Sequence, residues 1–470
     1  MTTLGVGIFC MVAALAVLPP SSAGDALPYV TNVDALGRVI FSAHQPRLVV
    51  DAVPPDPLLQ TRARQTQYIG MLALGGEVEV SPQWYAQVQL ESGQLVDGAS
   101  LDPPVDSGLT GYGRPLDEVV KNALFLRTLS LSYTNARVRA TVGRFRSQIA
   151  HGLVYDDAGT GIDLELRQHG VQRPWVVQAT GVLVGLAPWP TPPQSPLATI
   201  RLSQERDLFT SVGIFAAGFF DRSNRTRELA ISAMSEAALA MNSAPLLGLI
   251  SDASTSGQIW YLGGDLELFP SPLRITGDAL IDIGELTITL PNGDVRRWQV
   301  TGVAADLDAS FSLHPLLTIG TRAFYLSGDQ PPLGRKGDTS YKSFIAVAPF
   351  WTFTNLLFTD PLGRSFVAGT AETPGINGHG VLGASARIEV GDADALLNAQ
   401  LAYLRAQTSA VTLGGGGHTY GLELDLTGEW RILSWLEVGL ELDVLAPGNF
   451  FVATGIAWRA GGLLYAHWPL

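Results

Sequence analysis

The residues of this chain with chemical reach fall into two sets. One is acidic: Asp265, Glu267, Asp278, Asp282, Asp306, Asp308, Glu423, Asp425, Glu437, Glu441 and Asp443. The other is basic: Arg137, Arg139, Arg167, Arg201 and Arg322, with Arg144 and Arg146 nearby. Arginine's planar fork binds a carboxylate at two points, so these sets could hold each other or an acidic or polar solute. Catalysis is a poor fit. No Gly-x-Ser-x-Gly elbow, phosphate-binding loop or His-Glu-x-x-His motif occurs. The seven histidines are scattered over loops, turns and the C-terminus. A hydrolase would need a Ser/His or carboxylate group gathered at one rim, and no such spacing is present. "YDDAGTGID" offers Asp156, Asp157 and Asp163 for a calcium ion but lacks the spacing of a calcium loop. Neither enzymatic activity nor a cofactor is expected.

These charges lie on alternating rows. In Leu273–Ile283 the apolar row is Leu273, Ile275, Ala279, Ile281 and Ile283, and Arg274, Thr276, Asp278 and Asp282 fill the other. "GLELDLTGEWRILSWLEVGLELDV" repeats the pattern twice around one short turn. Such period-2 segments mean half-buried strands. Helical periodicity is convincing only at 224–242. Short connections, such as those at 81–82, 134–136, 270–272 and 391–394, alternate with long ones, such as 147–159, 285–297 and 328–379. Eight short turns and nine long loops imply an all-β, 18-stranded antiparallel transmembrane β-barrel with one short helical loop insert. The apolar rows then face lipid and the charged rows face the lumen. Trp84, Tyr133, Trp175, Trp430 and Trp435 sit beside short turns, as an interfacial aromatic girdle requires.

Composition agrees. Charged residues make up 16% of the 470, below the roughly 25% of ordinary globular domains, and Gly (51) and Pro (29) are abundant. A net charge of −13 argues against nucleic acid as a partner. Residues 1–23 read as a secretory signal peptide, and Cys10, the one cysteine, lies within it. Residues 30–470 would form the barrel, in the outer membrane of a Gram-negative bacterium.

The hairpin from Gly421 to Phe450 also resembles the penultimate hairpin of the alginate-export family of outer-membrane channels. Gly421, Glu423 and Asp425 match its first strand, and Leu445, Pro447 and Gly448 match its stop. "LRTLSLSYTNARVRATVGRF", ending in Val142, Gly143 and Arg144, is a second similarity. The resemblance implies a porin-like channel that uses a basic constriction to pass an acidic polysaccharide. The chain ends at Leu470 rather than in an aromatic residue, so Tyr465 and Trp468 would serve the barrel-assembly machinery. The lumen departs further, with arginines mostly on the first half of the wall and acids on the second. That balance favours neutral or mixed-charge hydrophilic solutes, saccharides among them. The expected function is passive passage or export across the outer membrane, with outer-membrane lipid as the other partner. A barrel-type hydrolase and a structural or adhesive barrel with an occluded lumen are the alternatives.

Overall fold

The computed structural model describes residues 29–45, 65–92, 95–98, 124–171, 173–184, 195–207, 210–222, 226, 230, 234, 253–329, 338–347, 353–355, 378–409, 416–450 and 456–469. The signal segment lies outside them. Among the described residues, twenty strands form one sheet. The first seven are β1 Tyr29–Gln45, β2 Gln65–Ser81, β3 Trp84–Ser92, β4 Leu95–Gly98, β5 Leu124–Thr134, β6 Val138–Ile149 and β7 Tyr155–Arg167. Next come β8 Trp175–Val184, β9 Ser195–Asp207, β10 Thr210–Asp221, β11 Ser254–Leu268, β12 Leu273–Thr289, β13 Val295–His314 and β14 Leu317–Leu326. The last six are β15 Asp338–Tyr341, β16 Val381–Gly391, β17 Ala395–Arg405, β18 Thr419–Leu433, β19 Leu436–Pro447 and β20 Ala457–Pro469.

Two of the twenty are not staves of the barrel. β4 continues the line of β3 along β2, and β15 runs parallel to β13 beyond the end of β14. The remaining eighteen pair antiparallel with both neighbours, and β1 pairs with β20 from Asp34↔Pro469 to Gln45↔Trp458. The ladder therefore closes and leaves no edge with unpaired backbone groups, which hydrocarbon would not tolerate.

Side-chain polarity is inverted relative to a water-soluble barrel. Ile162, Leu164 and Leu166 are exposed, while Asp163 between them is 4% exposed. Leu422, Leu424 and Leu426 are exposed, while Glu423 and Asp425 are buried. Ile281 and Ile283 point outward around the buried Asp282. The apolar skin and the polar interior are those of a transmembrane barrel. Trp84, Trp175 and Trp435 are exposed beside the short turns, and Trp84 packs on Tyr133 at 5.1 Å.

The turns are built from side chains as much as from backbone. Asn135 Oδ1 accepts the N–H groups of Arg137 and Val138, and Asp392 Oδ1 accepts those of Asp394 and Ala395. These are Asx-type turns, in which the side chain stands in for a backbone carbonyl. The Asp394 and Ala395 N–H groups hold the exposed Asp392 carboxyl below its ordinary pKa.

Two expected long loops are shorter in the structure. β6 and β7 leave only residues 150–154 between them, and β12 and β13 leave only 290–294. β12 has 17 residues and β13 has 20, well past the 9–11 or so that span a bilayer, so these strands rise above the membrane. The helical insert at 224–242 lies mostly outside the described residues. Ala230 and Met234 within it have helical backbone, and the Ala230 N–H donates to the Thr226 carbonyl at 3.1 Å. Asp221 holds the start of this turn, accepting from the Thr226 N–H at 2.9 Å and the Thr226 hydroxyl at 2.6 Å.

At the loop end the inward rows turn apolar and are covered by protein. Phe219, Ile259, Tyr261, Trp298, Phe324 and Tyr420 are at most 2% exposed. They pack with Leu153 and Val154 of the β6–β7 loop and with Phe344 and Ile345 beyond β15 in a single buried cluster.

The inverted polarity makes a prediction. Ile281→Arg, in the middle of the lipid-facing row of β12, should cost about 2 to 4 kcal/mol of stability in vesicles. Thr276→Arg, on the inward row of the same strand, should cost markedly less. Equilibrium urea unfolding from phosphatidylcholine vesicles measures both.

Candidate functional site: the lumen

Inside the barrel Arg201, Arg322 and Arg387 are bonded to the protein's own carboxylates. Arg322 on β14 forms a two-point pair with Asp306 on β13, Nε to Oδ1 at 2.9 Å and a terminal nitrogen to Oδ2 at 2.5 Å. Arg201 on β9 pairs with Asp265 on β11 through both Nε and a terminal nitrogen. Arg387 on β16 pairs with Asp308 on β13 at 2.6 and 2.8 Å and also meets Glu389 at 3.1 Å. The last two pairs each bridge across an intervening strand, and in both cases a glycine lies beneath the bridge. A Cβ on Gly213 of β10 would stand 2.8 Å from Asp265 Oδ1 and 3.0 Å from Arg201 Nε. A Cβ on Gly320 of β14 would stand 2.8 Å from Arg387 Nε. These glycines act as saddles over which a guanidinium reaches the second strand along.

Among the described residues, two segments enter the lumen from the loop end. The β6–β7 loop turns at Ala150 and His151, both with positive φ (54° and 45°), a strained pair for residues with a Cβ. Its position is held by His151, whose Nε2 lies 2.9 Å from Glu267 Oε1 and whose Nδ1 lies 2.7 Å from Asp278 Oδ2. Hydrogen bonds donated to Asp278 and then to Glu267 raise the His151 pKa to about 10, against burial. The ring is therefore an imidazolium clamp at neutral pH. The second segment, 342–347 and 353–355, lies against inward-facing groups. Its Ile345 N–H donates to Asp282 Oδ2 and its Ile345 carbonyl accepts from the Tyr261 hydroxyl, each at 2.9 Å. Asn355 Nδ2 donates to Asp443 Oδ1 at 2.9 Å. The two segments meet where the Val347 N–H donates to the Val154 carbonyl at 2.9 Å.

On the turn side of the first loop lies a cavity of about 830 Å³, extending from Thr134 and Arg139 up to Ile149–His151. Much of its wall is built from inward rows of hydroxyl and amide side chains, with the Asp163 carboxylate among them. Register places Tyr85, Ser132, Thr141, Asp163, Thr180 and Thr199 side by side on β3 and β5–β9. Gln87 and Ser130 form the next rung, and Gln89 and Thr128 the one beyond.

The expected lumen residues are distributed as follows. Arg139, Arg201, Asp265 and Glu267 line the cavity. Arg137 is exposed in a turn, and Arg167 stands at a turn with Glu205 at 3.0 Å. Asp278, Asp282, Glu423, Asp425, Glu441 and Asp443 are buried on inward rows, and Glu437 is half-buried opposite Arg431. Asp425 and Asp443 are register partners. Opposed basic and acidic walls do not describe this arrangement, because Arg201 and Arg322 bond laterally, one or two strands away. Asp156 of the calcium candidate is taken by Arg146 at 2.5 and 2.6 Å, and Asp163 is taken by Thr180 and Gln178 at 2.5 and 3.0 Å. Sequence reasoning missed Arg387, the clamp role of His151, and the Ser/Thr/Gln rows. "QWYAQVQLE" and "LRTLSLSYT" display those rows to a reading that weights amides and hydroxyls alongside charges.

No family model matches the chain, and no curated relative matches it. Solved structures do. Pseudomonas aeruginosa OccK9 (OpdG) superposes with a TM-score of 0.50 at 12% identity, over 93% of this chain and 98% of its own. P. aeruginosa OccK5 (OpdH) gives 0.48 at 8% identity, over 93% and 98%. The outer membrane protein OprD of P. aeruginosa gives 0.48 at 10% identity, over 93% of each chain. The likeness to OccK9 carries a shared porin-like barrel fold, and identities this low carry no more than that. Membership of the alginate-export family does not follow from it.

Two predictions test the lumen. Gly213→Leu should push Arg201 off Asp265 and destabilise the barrel by about 3 kcal/mol, the cost of a buried carboxylate that loses its partner. Adding Asp265→Asn should recover much of that loss, as read by guanidinium unfolding in micelles. The His151 pKa is raised above the ordinary imidazole value of 6.5, so the clamp's contribution is complete below 6.5 and is lost as pH rises through about 10. Limited proteolysis at 147–155 should be negligible at neutral pH, appear above about pH 10, and occur at neutral pH in His151→Ala.

Proposed function

We propose that this protein is a porin-like channel of the Gram-negative outer membrane, passing hydrophilic solutes passively. The observation that carries the reading is a closed ladder with an apolar skin around a lumen of paired charges, amides and hydroxyls. In this reading residues 1–23 direct export and are removed. Tyr465 and Trp468 on β20, the strand that closes against β1, engage the assembly machinery. An acidic polysaccharide is not favoured, because Arg201, Arg322 and Arg387 are already bonded to Asp265, Asp306 and Asp308. Small neutral or mixed-charge solutes, saccharides included, suit the wall better.

The structural alternative, a barrel with an occluded lumen, draws its support from the buried apolar cluster at the loop end. Planar bilayers separate the two readings. A channel should show discrete conductance steps with weak ion selectivity. Strong anion selectivity would point back to a basic conduit. Zero conductance from protein that still runs as a heat-modifiable folded band on a gel would assign the occluded barrel.

A further inference from the structure

The cavity beneath the β6–β7 loop has a chemical character of its own. Its volume of about 830 Å³ lies within the roughly 300–1,000 Å³ of small-molecule sites. Six strands in sequence place Tyr85, Ser132, Thr141, Asp163, Thr180 and Thr199 at one level of its wall. The groups are pre-oriented: the Ser132 and Thr141 hydroxyls share a hydrogen bond of 2.9 Å, and Thr180 donates to Asp163 at 2.5 Å. The inward positions directly above Thr141 and Asp163 are Gly143 and Gly161, register partners of each other, so the wall there carries no side chain. Gly143 has φ +123°, and a Cβ on it would stand 2.2 Å from the Leu129 carbonyl, which keeps that position bare. Phe145, two residues beyond Gly143 on β6, and Phe215 of β10 line the same cavity.

The charges around the cavity are largely neutralised by the protein. Arg146 holds Asp156, Arg201 holds Asp265, and His151 holds Glu267 and Asp278. Arg139, near the turn end, makes no ion pair among the described residues. Rungs of hydroxyls and amides, whose one carboxylate, Asp163, already accepts from Thr180 and Gln178, next to bare backbone and two aromatic side chains suit a ligand with many hydroxyls, an apolar C–H face and no net charge. We infer that this cavity is a binding subsite for a neutral polyhydroxylated solute of mono- to disaccharide size. The inference deepens the channel reading and rests on it for transport, though not for binding.

Binding can therefore be tested without an open pore. The full chain is purified in a zwitterionic amine-oxide detergent, which carries no sugar headgroup, and titrated calorimetrically with maltose and with glucuronate. Maltose should bind with millimolar affinity, and glucuronate should bind about ten-fold more weakly. Thr141→Val/Thr199→Val, checked for folding by heat-modifiable mobility, should weaken maltose binding about ten-fold, as the loss of hydrogen bonds at two sites implies. No maltose binding by the folded wild-type chain would overturn the subsite. So would tighter glucuronate binding that Arg139→Gln abolishes, which would assign the cavity to a monoanion. These comparisons use wild type or Arg139 at the cavity's turn end, which makes no ion pair among the described residues, and stand even if the double variant misfolds. Conductance without maltose binding would sink the subsite alone, and maltose binding without conductance would sink the channel alone.

Discussion

The hydrogen bonds between β1 and β20 are the constraint on which the rest depends. Without them the sheet would end in two strands of unpaired N–H and C=O groups, which can be solvated by water but not by lipid. Closure fixes the number of staves, and with it the two faces. Leucines and isoleucines that would be a liability on a soluble surface become the lipid contact. Carboxylates that would be costly in a soluble core become the lining.

The lining then has to solve its own electrostatic problem. A buried carboxylate without a partner costs several kcal/mol, so the lumen is laced with guanidinium–carboxylate pairs. The strands are too regular to bring every pair into adjacent register. Gly213 and Gly320 remove the obstacle by leaving the middle strand without a side chain. The result is a lumen whose charges are mostly committed to structure.

Much of the architecture was legible in the sequence. Alternation in Leu273–Ile283 and in the Gly421–Phe450 hairpin gave strands and faces, because period 2 is a local property. Of the eight short turns, those at 134–136 and 391–394 carry a local signal, because Asn135 and Asp392 close them with their own side chains. The lumen was less legible, because its contacts depend on which strands become neighbours. Arg201 and Asp265 are 64 residues apart, and His151 reaches partners 116 and 127 residues away. Nothing local in "QIAHGLVYDD" states that the loop folds inward. Strand lengths also misled at 285–297, since β12 and β13 continue beyond the membrane with the same alternation.

The buried cluster at the loop end follows the rules of a water-soluble core inside a molecule that otherwise inverts them. Its residues, Phe219, Tyr261, Trp298 and Phe344 among them, would meet water if the inner loops opened, whereas Ile281 and Leu424 would stay against lipid in the intact wall. Newly hydrated apolar surface is what raises the heat capacity of an unfolding protein. A heat-capacity step on opening of the inner loops would therefore report the contents of the lumen, while the wall that spans the membrane stays silent until the ladder itself comes apart.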